Sequence, residues 1–335
     1  MRVLLTGGDG FLGRHAQAAL SAHALTVPPR APGPLPHYAL EEEGCLAPLL
    51  AAARPEAVVH LAAQASVAAS FADPLACWRA NLLGTLALAE AVRRESHGAR
   101  FLFASSAEVY GLSFRAGAAL DESAPLAPAN PYAASKAAAD LALGEMALRG
   151  LAALRLRFFN LAGPGQSEGF VVADICRQIA RIEAGLDAPT LRVGALDRWR
   201  DFLDVRDAAR AIALALEADW PPGLALNIAA GRPRRIGDVL EALLARARRR
   251  PEVAVAPARL RPTDVAHVAG DAARARALLG WAPDIPWERT LDEALQDWRG
   301  GVARGGGGGK DPPPPRKLPP PLYLPRRHVL VLCDV

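Results

Sequence analysis

Short apolar runs alternate with longer stretches whose apolar positions recur on one helical face. Residues 2–6 read as a strand, followed by a helix to about residue 22 and a second strand at 24–27. Residues 57–63 (Ala-Val-Val-His-Leu-Ala-Ala) and 100–104 (Arg-Phe-Leu-Phe-Ala) are nearly continuous apolar runs, as expected of strands covered on both faces in a parallel sheet. Helical stretches separate them, one carrying Asn81 and Gly84 and another opened by Asn130-Pro131. A further strand ends at Asn160 and is followed by the turn Gly163-Pro164-Gly165-Gln166. This alternation predicts an α/β fold built on a doubly wound parallel sheet.

After about residue 164 the elements become shorter and mixed. Helices are expected at about 170–185, from the segment 197–207 to about 218, at 236–249 and at 287–298, with an apolar run at 226–229. The expected organisation is a dinucleotide-binding domain over 1–163 and a smaller mixed α/β substrate lobe over 164–299. Some of the lobe's elements, at about 202–218, pack back on the first domain. Residues 300–335 form a Gly/Pro-rich tail, with Gly305 to Gly309, Pro312 to Pro315 and Pro319 to Pro321, and are expected to stay disordered. The last ten residues look like the opening strand of a further domain.

Charge changes the picture little. The formal net charge of +4 is carried by the tail, where six basic residues face Asp311 and Asp334, so the first 300 residues are neutral. No nucleic-acid partner is expected. No apolar run reaches the length of a membrane span, and the N-terminus enters a strand at once, which predicts neither a membrane segment nor a signal peptide. Four scattered cysteines suggest no disulfide framework and no metal site, and fit a reducing cytoplasm.

The chemistry gathers at strand ends. Gly7, Gly10 and Gly13, with Phe11 and Leu12 between them, follow the first strand and open a helix. This loop leaves amide groups free for a pyrophosphate. The second strand ends in Pro28-Pro29-Arg30 with no carboxylate for a ribose 2′-hydroxyl. NADP(H) is therefore the expected cofactor and NAD(H) the second choice. Small side chains at Ala62 and Ala63 let a cofactor lie close. Ser105-Ser106-Ala107-Glu108 leave the fourth strand at the carboxyl end of the sheet, where open α/β folds bind ligands. Tyr132 and Lys136 fall one turn apart on a capped helix, an arrangement in which an ammonium would favour the phenolate. Asn160 is expected to face the same cleft. Arg200 and Arg261 have the fork geometry for a diphosphate, although Asp201, Asp204 or Asp207 offer ordinary ion-pair partners.

Several separated motifs together resemble the extended short-chain dehydrogenase/reductases acting on nucleotide-sugars, the NAD-dependent epimerase/dehydratase family. They are Thr6-Gly7-Gly8-Asp9-Gly10-Phe11-Leu12-Gly13, His60-Leu61-Ala62-Ala63, Ser105 to Gly111, Tyr132-Ala133-Ala134-Ser135-Lys136 and Arg200 to Asp207. The likeness covers about residues 1–299 and implies a Rossmann-type domain. Gly169 to Asp174, Gln178 to Gly185, Val193 to Leu196 and Arg261-Pro262-Thr263-Asp264 are most similar to GDP-4-keto-6-deoxy-D-mannose reductases and their GDP-mannose 4,6-dehydratase relatives.

The resemblance implies NADPH-dependent reduction of a 4-keto group on a GDP-6-deoxy-4-keto-hexose. The alternatives are a 4,6-dehydratase or 4-epimerase with tightly bound cofactor, or a non-catalytic NADP-binding scaffold. It implies Tyr132 as general acid/base, Lys136 lowering its pKa and holding the nicotinamide ribose, and Ser106 bonding the reacting oxygen, with Glu108 beside them. Gly7, Gly10, Phe11, Leu12, Gly13, Leu61, Ala62 and Ala63 would line the cofactor, and Asn160, Val172, Arg200 and Arg261 the GDP-linked substrate. A homodimer is also implied. Two departures stand out. Ala39-Leu40 replaces the usual Asp-Leu near the adenine, and Ala107-Glu108 replaces the Asp-Glu of NDP-glucose dehydratases.

Overall fold

Six parallel strands form the main sheet in the computed structural model, which describes residues 1–29, 43–259 and 265–304. Arg30, Ala39, Leu40, Arg261 and the tail from 305 lie outside the described residues. Along the chain the strands are β1 (Arg2–Thr6), β2 (Ala24–Thr26), β3 (Ala57–His60), β4 (Arg100–Ser106), β5 (Ala152–Phe158) and β6 (Asn160–Ala162). They continue with β7 (Thr190–Val193), β8 (Trp199–Asp204), β9 (Leu224–Ile228), β10 (Pro233–Arg235) and β11 (Glu252–Val255). The main sheet runs β2-β1-β3-β4-β5-β9.

The apolar runs have the expected two-sided role. Val3 and Leu5 of β1 join one core, with the helices Phe11–Ala19, Val205–Glu217 and Ala273–Leu279. Leu4, between them, joins the opposite core with Leu46–Ala53, Gly84–Glu95 and Pro131–Leu148. Alternate residues of a strand point to opposite faces, so a strand covered on both sides must be apolar throughout. Each such side chain, fully buried, contributes about 1.5–3 kcal/mol.

A third core lies in the second lobe, between Val171–Glu183, Ile236–Leu244 and Trp287–Ala303. Here β8 pairs parallel with β6 and antiparallel with β10, and β7 pairs with β11. The rings of Phe202 and Trp287 stack at 5.3 Å.

Two local assignments differ from the pattern reading. The main-sheet strand β5 stops at Phe158, Phe159 makes a last bond to the Ile228 carbonyl, and Asn160 starts a strand of the other sheet. Leu224–Ile228, placed by sequence in the second lobe, returns to the main sheet as its edge. Hydrophobicity marks a strand as buried but does not say which sheet receives it. Among the described residues no helix is long and apolar enough to cross a membrane.

Candidate active site

The strand order reverses at β1, which has β2 on one side and β3 on the other, and this opens a crevice at their carboxyl ends. The glycine loop sits there. Gly7 has φ +74°, and a Cβ on it would lie 2.5 Å from the Ala62 nitrogen, so the loop rests directly on the end of β3. A Cβ on Gly13 would lie 2.1 Å from the Gly7 carbonyl oxygen, which seats the helix start against the turn. The N-cap Gly10 carries no side chain to close the helix end, and the first-turn amides of Phe11 and Leu12 have no intrahelical acceptor. Beside them Leu61, Ala62 and Ala63 are half-buried. This cradle fits the pyrophosphate of a dinucleotide, with bare amides at the positive end of a helix and only small side chains to exclude it.

Ser106 ends β4 and Tyr132 opens the helix Pro131–Leu148, whose cap is the Asn130 side chain accepting from the Ala133 amide at 2.8 Å. The Ser106 hydroxyl lies beside the Tyr132 phenol, near enough to lower its pKa. Asn130 also donates to Glu108 at 3.2 Å, and the Glu108 amide donates to the Ser106 hydroxyl at 3.2 Å. Ser106 and Glu108 are therefore tied to the cap of the helix that carries Tyr132.

Lys136 is buried, with its Nζ 4.2 Å from the centroid of the Phe103 ring. Burial pushes it down to about 7, although the Asp140 carboxylate acts the other way. The phenol does not follow the sequence expectation. Burial pushes Tyr132 up to about 12, the Ser106 hydroxyl opposes this, and Glu108 adds to the rise. The physical reason is burial, which outweighs the other influences on the phenol, while the lysine's ammonium sits over the Phe103 ring. His60 is pushed down to about 3, by burial first and by Lys136 second, while its ring bonds Thr6 at 2.7 Å and Thr85 at 3.0 Å.

On the lobe side, Asn160 is half-buried at the start of β6, in register with Phe202. Arg200 donates to the carbonyls of Trp199 at 2.7 Å and Val265 at 2.9 Å, the latter just after the segment that carries Arg261. The suggested carboxylate partners are engaged elsewhere. Asp204 pairs with Arg206, Asp207 with Arg210, and Asp201 accepts from the amides of Ala230, Gly231 and Gly270 at 3.0–3.1 Å. The Val172 side chain is buried in the third core and offers nothing to a ligand. Only its backbone amide, in the first turn of Val171–Glu183, has no intrahelical acceptor.

Some polar residues behind this face were not singled out from the sequence. Asn81 is fully buried in a π-helical turn, Arg79–Leu83, where it bonds the backbone of Gln64 and the hydroxyl of Ser135. Ser135 in turn donates to the Tyr132 carbonyl at 2.8 Å. Asp140 is fully buried one turn beyond Lys136 and binds Ser105, Arg155 and Arg157. The available signal was an acid at spacing four from the lysine, directly after the alanine run 137–139. Among the described residues no group of three or more His, Cys, Asp or Glu is placed to hold a metal ion.

A doubly wound sheet with a glycine cradle at its switch point, Ser106 beside Tyr132 with Lys136 one turn on, and a second lobe define an extended short-chain dehydrogenase/reductase. More specifically, the chain belongs to the GDP-mannose 4,6 dehydratase family, whose model matches residues 34–294. It is 40% identical over 303 residues to the GDP-6-deoxy-D-mannose reductase of Pseudomonas aeruginosa, covering 90% of this chain and 98% of that protein. It is 30% identical over 263 residues to GDP-mannose 4,6 dehydratase 1 of Arabidopsis thaliana, covering 76% and 71%. Among solved structures, RMD from Pseudomonas aeruginosa complexed with NADPH superposes with a TM-score of 0.80 at 35% identity, covering 90% of this chain and 99% of that one. The UDP-glucose 4-epimerase of Thermus thermophilus in complex with NAD gives a TM-score of 0.78 at 32% identity, covering 90% and 99%.

Proposed function

We propose that this protein is an NADPH-dependent reductase that converts GDP-4-dehydro-6-deoxy-D-mannose to GDP-D-rhamnose or its C4 epimer. The observation that carries the reading is the placement of Ser106, at the end of its strand, and of Tyr132 and Lys136, one turn apart on a capped helix, beside a dinucleotide cradle. A carbonyl receiving hydride becomes an alkoxide and needs a proton donor at that atom, and a phenol keeps its proton at neutral pH. NADPH, when bound, supplies the hydride. Ser106 holds the carbonyl oxygen, Tyr132 delivers the proton to it, and Lys136 bonds the nicotinamide ribose. Gly7, Gly10 and Gly13 with the amides of Phe11 and Leu12 hold the pyrophosphate. Asn160, Arg200, Arg261 and the Val172 amide hold the GDP side, and Arg30 the cofactor's 2′-phosphate. The near-full-length likeness to a GDP-6-deoxy-D-mannose reductase supports this reading.

The division into a cofactor domain (1–163) and a substrate lobe (164–299) belongs to the same proposal, as do a cytoplasmic location and a homodimer. For the dimer, Phe71, Leu75, Leu83 and Leu141 are exposed on elements packed around the Pro131–Leu148 helix, an apolar face suited to a second copy.

The family model itself favours a second reading, a GDP-mannose 4,6-dehydratase that cycles a tightly bound cofactor. One assay separates the two. Purified protein given GDP-4-dehydro-6-deoxy-D-mannose consumes NADPH stoichiometrically if it is the reductase, and the product sugar is identified by NMR. Turnover of GDP-mannose without added cofactor, and no NADPH oxidation with the keto-sugar, would overturn it.

A further inference from the structure

The helix that carries Tyr132 and Lys136 is joined to the strand that carries Ser106 by a charge buried in the protein. Asp140 accepts from the Ser105 hydroxyl at 2.6 Å, from Arg157 Nε at 3.1 Å and NH2 at 2.8 Å, and from Arg155 NH1 at 2.9 Å. Both carboxylate oxygens are engaged, and the residue is fully buried. The pairings span three elements, because Ser105 lies on β4 next to Ser106, and Arg155 and Arg157 lie on β5. Arg157 reaches further, to the Tyr110 hydroxyl at 2.9 Å and the Glu122 carbonyl at 3.2 Å, and Tyr110 donates to Asn227 of β9 at 2.7 Å. Tyr110 belongs to the 3-10 segment Ala107–Ala116, which also carries Glu108.

We propose that Asp140 is a positioning residue, which through Ser105 and Arg157 fixes the Ser106 strand against the Tyr132 helix. Hydrophobic packing of a helix on a sheet is non-directional, whereas a carboxylate bonded from two strands at once sets a direction and a distance. The residue has no contact with the reacting atoms and acts through others. Around Lys136 the described charged and titratable groups include Tyr132 and Asp140 on its own helix, and His60 and Cys77 on elements packed against it, and the Asp140 carboxylate favours the charged ammonium.

The proposal rests on the reductase reading, so its test has one arm that needs no substrate. Tyrosine labelled at Cζ with 13C is followed by NMR in the unliganded protein, and Tyr132→Phe assigns the Tyr132 signal. In Ser105→Ala and Asp140→Asn that signal is expected to move. In the reductase assay, Ser105→Ala is expected to lose about tenfold in kcat and Asp140→Asn about a hundredfold, with the KM for the keto-sugar and the Kd for NADPH within twofold of wild type. Should Asp140→Asn fail to fold, Ser105→Ala, which leaves both ion pairs in place, carries the test. An unmoved Tyr132 signal in folded Ser105→Ala, or a kcat within twofold of wild type, overturns the proposal. A wild-type protein that oxidises no NADPH would instead sink the reductase reading and leave the NMR arm standing.

Discussion

Asp140 and Asp201 are both fully buried carboxylates beside the cleft, one under the catalytic helix and one in the second lobe, and they are held in opposite ways. Burial alone would raise Asp140, but the guanidiniums of Arg157 and Arg155 and the Ser105 hydroxyl hold it below the usual carboxylate range. Burial raises Asp201 to about 6, and the backbone amides of Gly270, Gly231 and Ala230 only partly offset it. Whole positive charges overcome desolvation and amide dipoles do not. The charge under the catalytic wall is therefore constant over the working pH range, whereas the lobe's anchor can lose its charge just below neutrality.

The largest effect is expected at Tyr132. Tyr132→Phe is expected to lower kcat by about two to four orders of magnitude with little change in sugar-nucleotide binding, measured as NADPH oxidation and by calorimetry. A loss under tenfold would mean that another group donates the proton. Next in size is Arg157→Met, which leaves Asp140 short of one partner in a dry site. It is expected to lower unfolding stability by about 3–5 kcal/mol in urea titrations, whereas a change of under 1 kcal/mol would show the pair to be well solvated.

His60 sharpens the pH side of the argument. Its folded pKa of about 3 lies below the ordinary 6.5, so it contributes stability that is fully present above 6.5 and lost as pH falls towards 3. Between pH 6.5 and 5 the wild type should lose about 2 kcal/mol more than His60→Gln. Parallel pH dependences would show that the imidazole gains its proton in the folded state. Asp201 has the reverse sign. With a folded value of about 6 against 3.8, its contribution is present at low pH and is lost as pH rises through 6. The smallest effect is expected in binding. As pH falls below 6, the protonated Asp201 holds Gly231 and Gly270 less firmly, and KM for the sugar-nucleotide should rise about threefold with kcat nearly constant. Asp201→Asn should remove that pH dependence, and an equal dependence in the variant would assign it to another group.

Much of the catalytic face is local and therefore legible in the sequence. Asn130, Pro131, Tyr132 and Lys136 are set by one helix start, where the cap and the 3.6-residue repeat alone place phenol and ammonium one turn apart. Gly7, Gly10 and Gly13 announce a turn that only glycine can make. Val172 shows the limit of that reading, since its neighbours resemble a substrate segment while its side chain faces a core.

The chain's own pattern determined the alternation of strands and helices, the glycine turn and the placement of Tyr132 and Lys136 one turn apart, because each depends on contacts within a few residues. Only the tertiary structure decided that Asn160 leaves the main sheet for the second one. It also sends Leu224–Ile228 back to the edge of the main sheet and brings Asp140 against Ser105 and Arg157. The direction in which Tyr132 titrates was decided there too, by how much water the fold removes from the phenol. Dielectric surroundings and long-range partners belong to the packed molecule, and no spacing along the sequence encodes them.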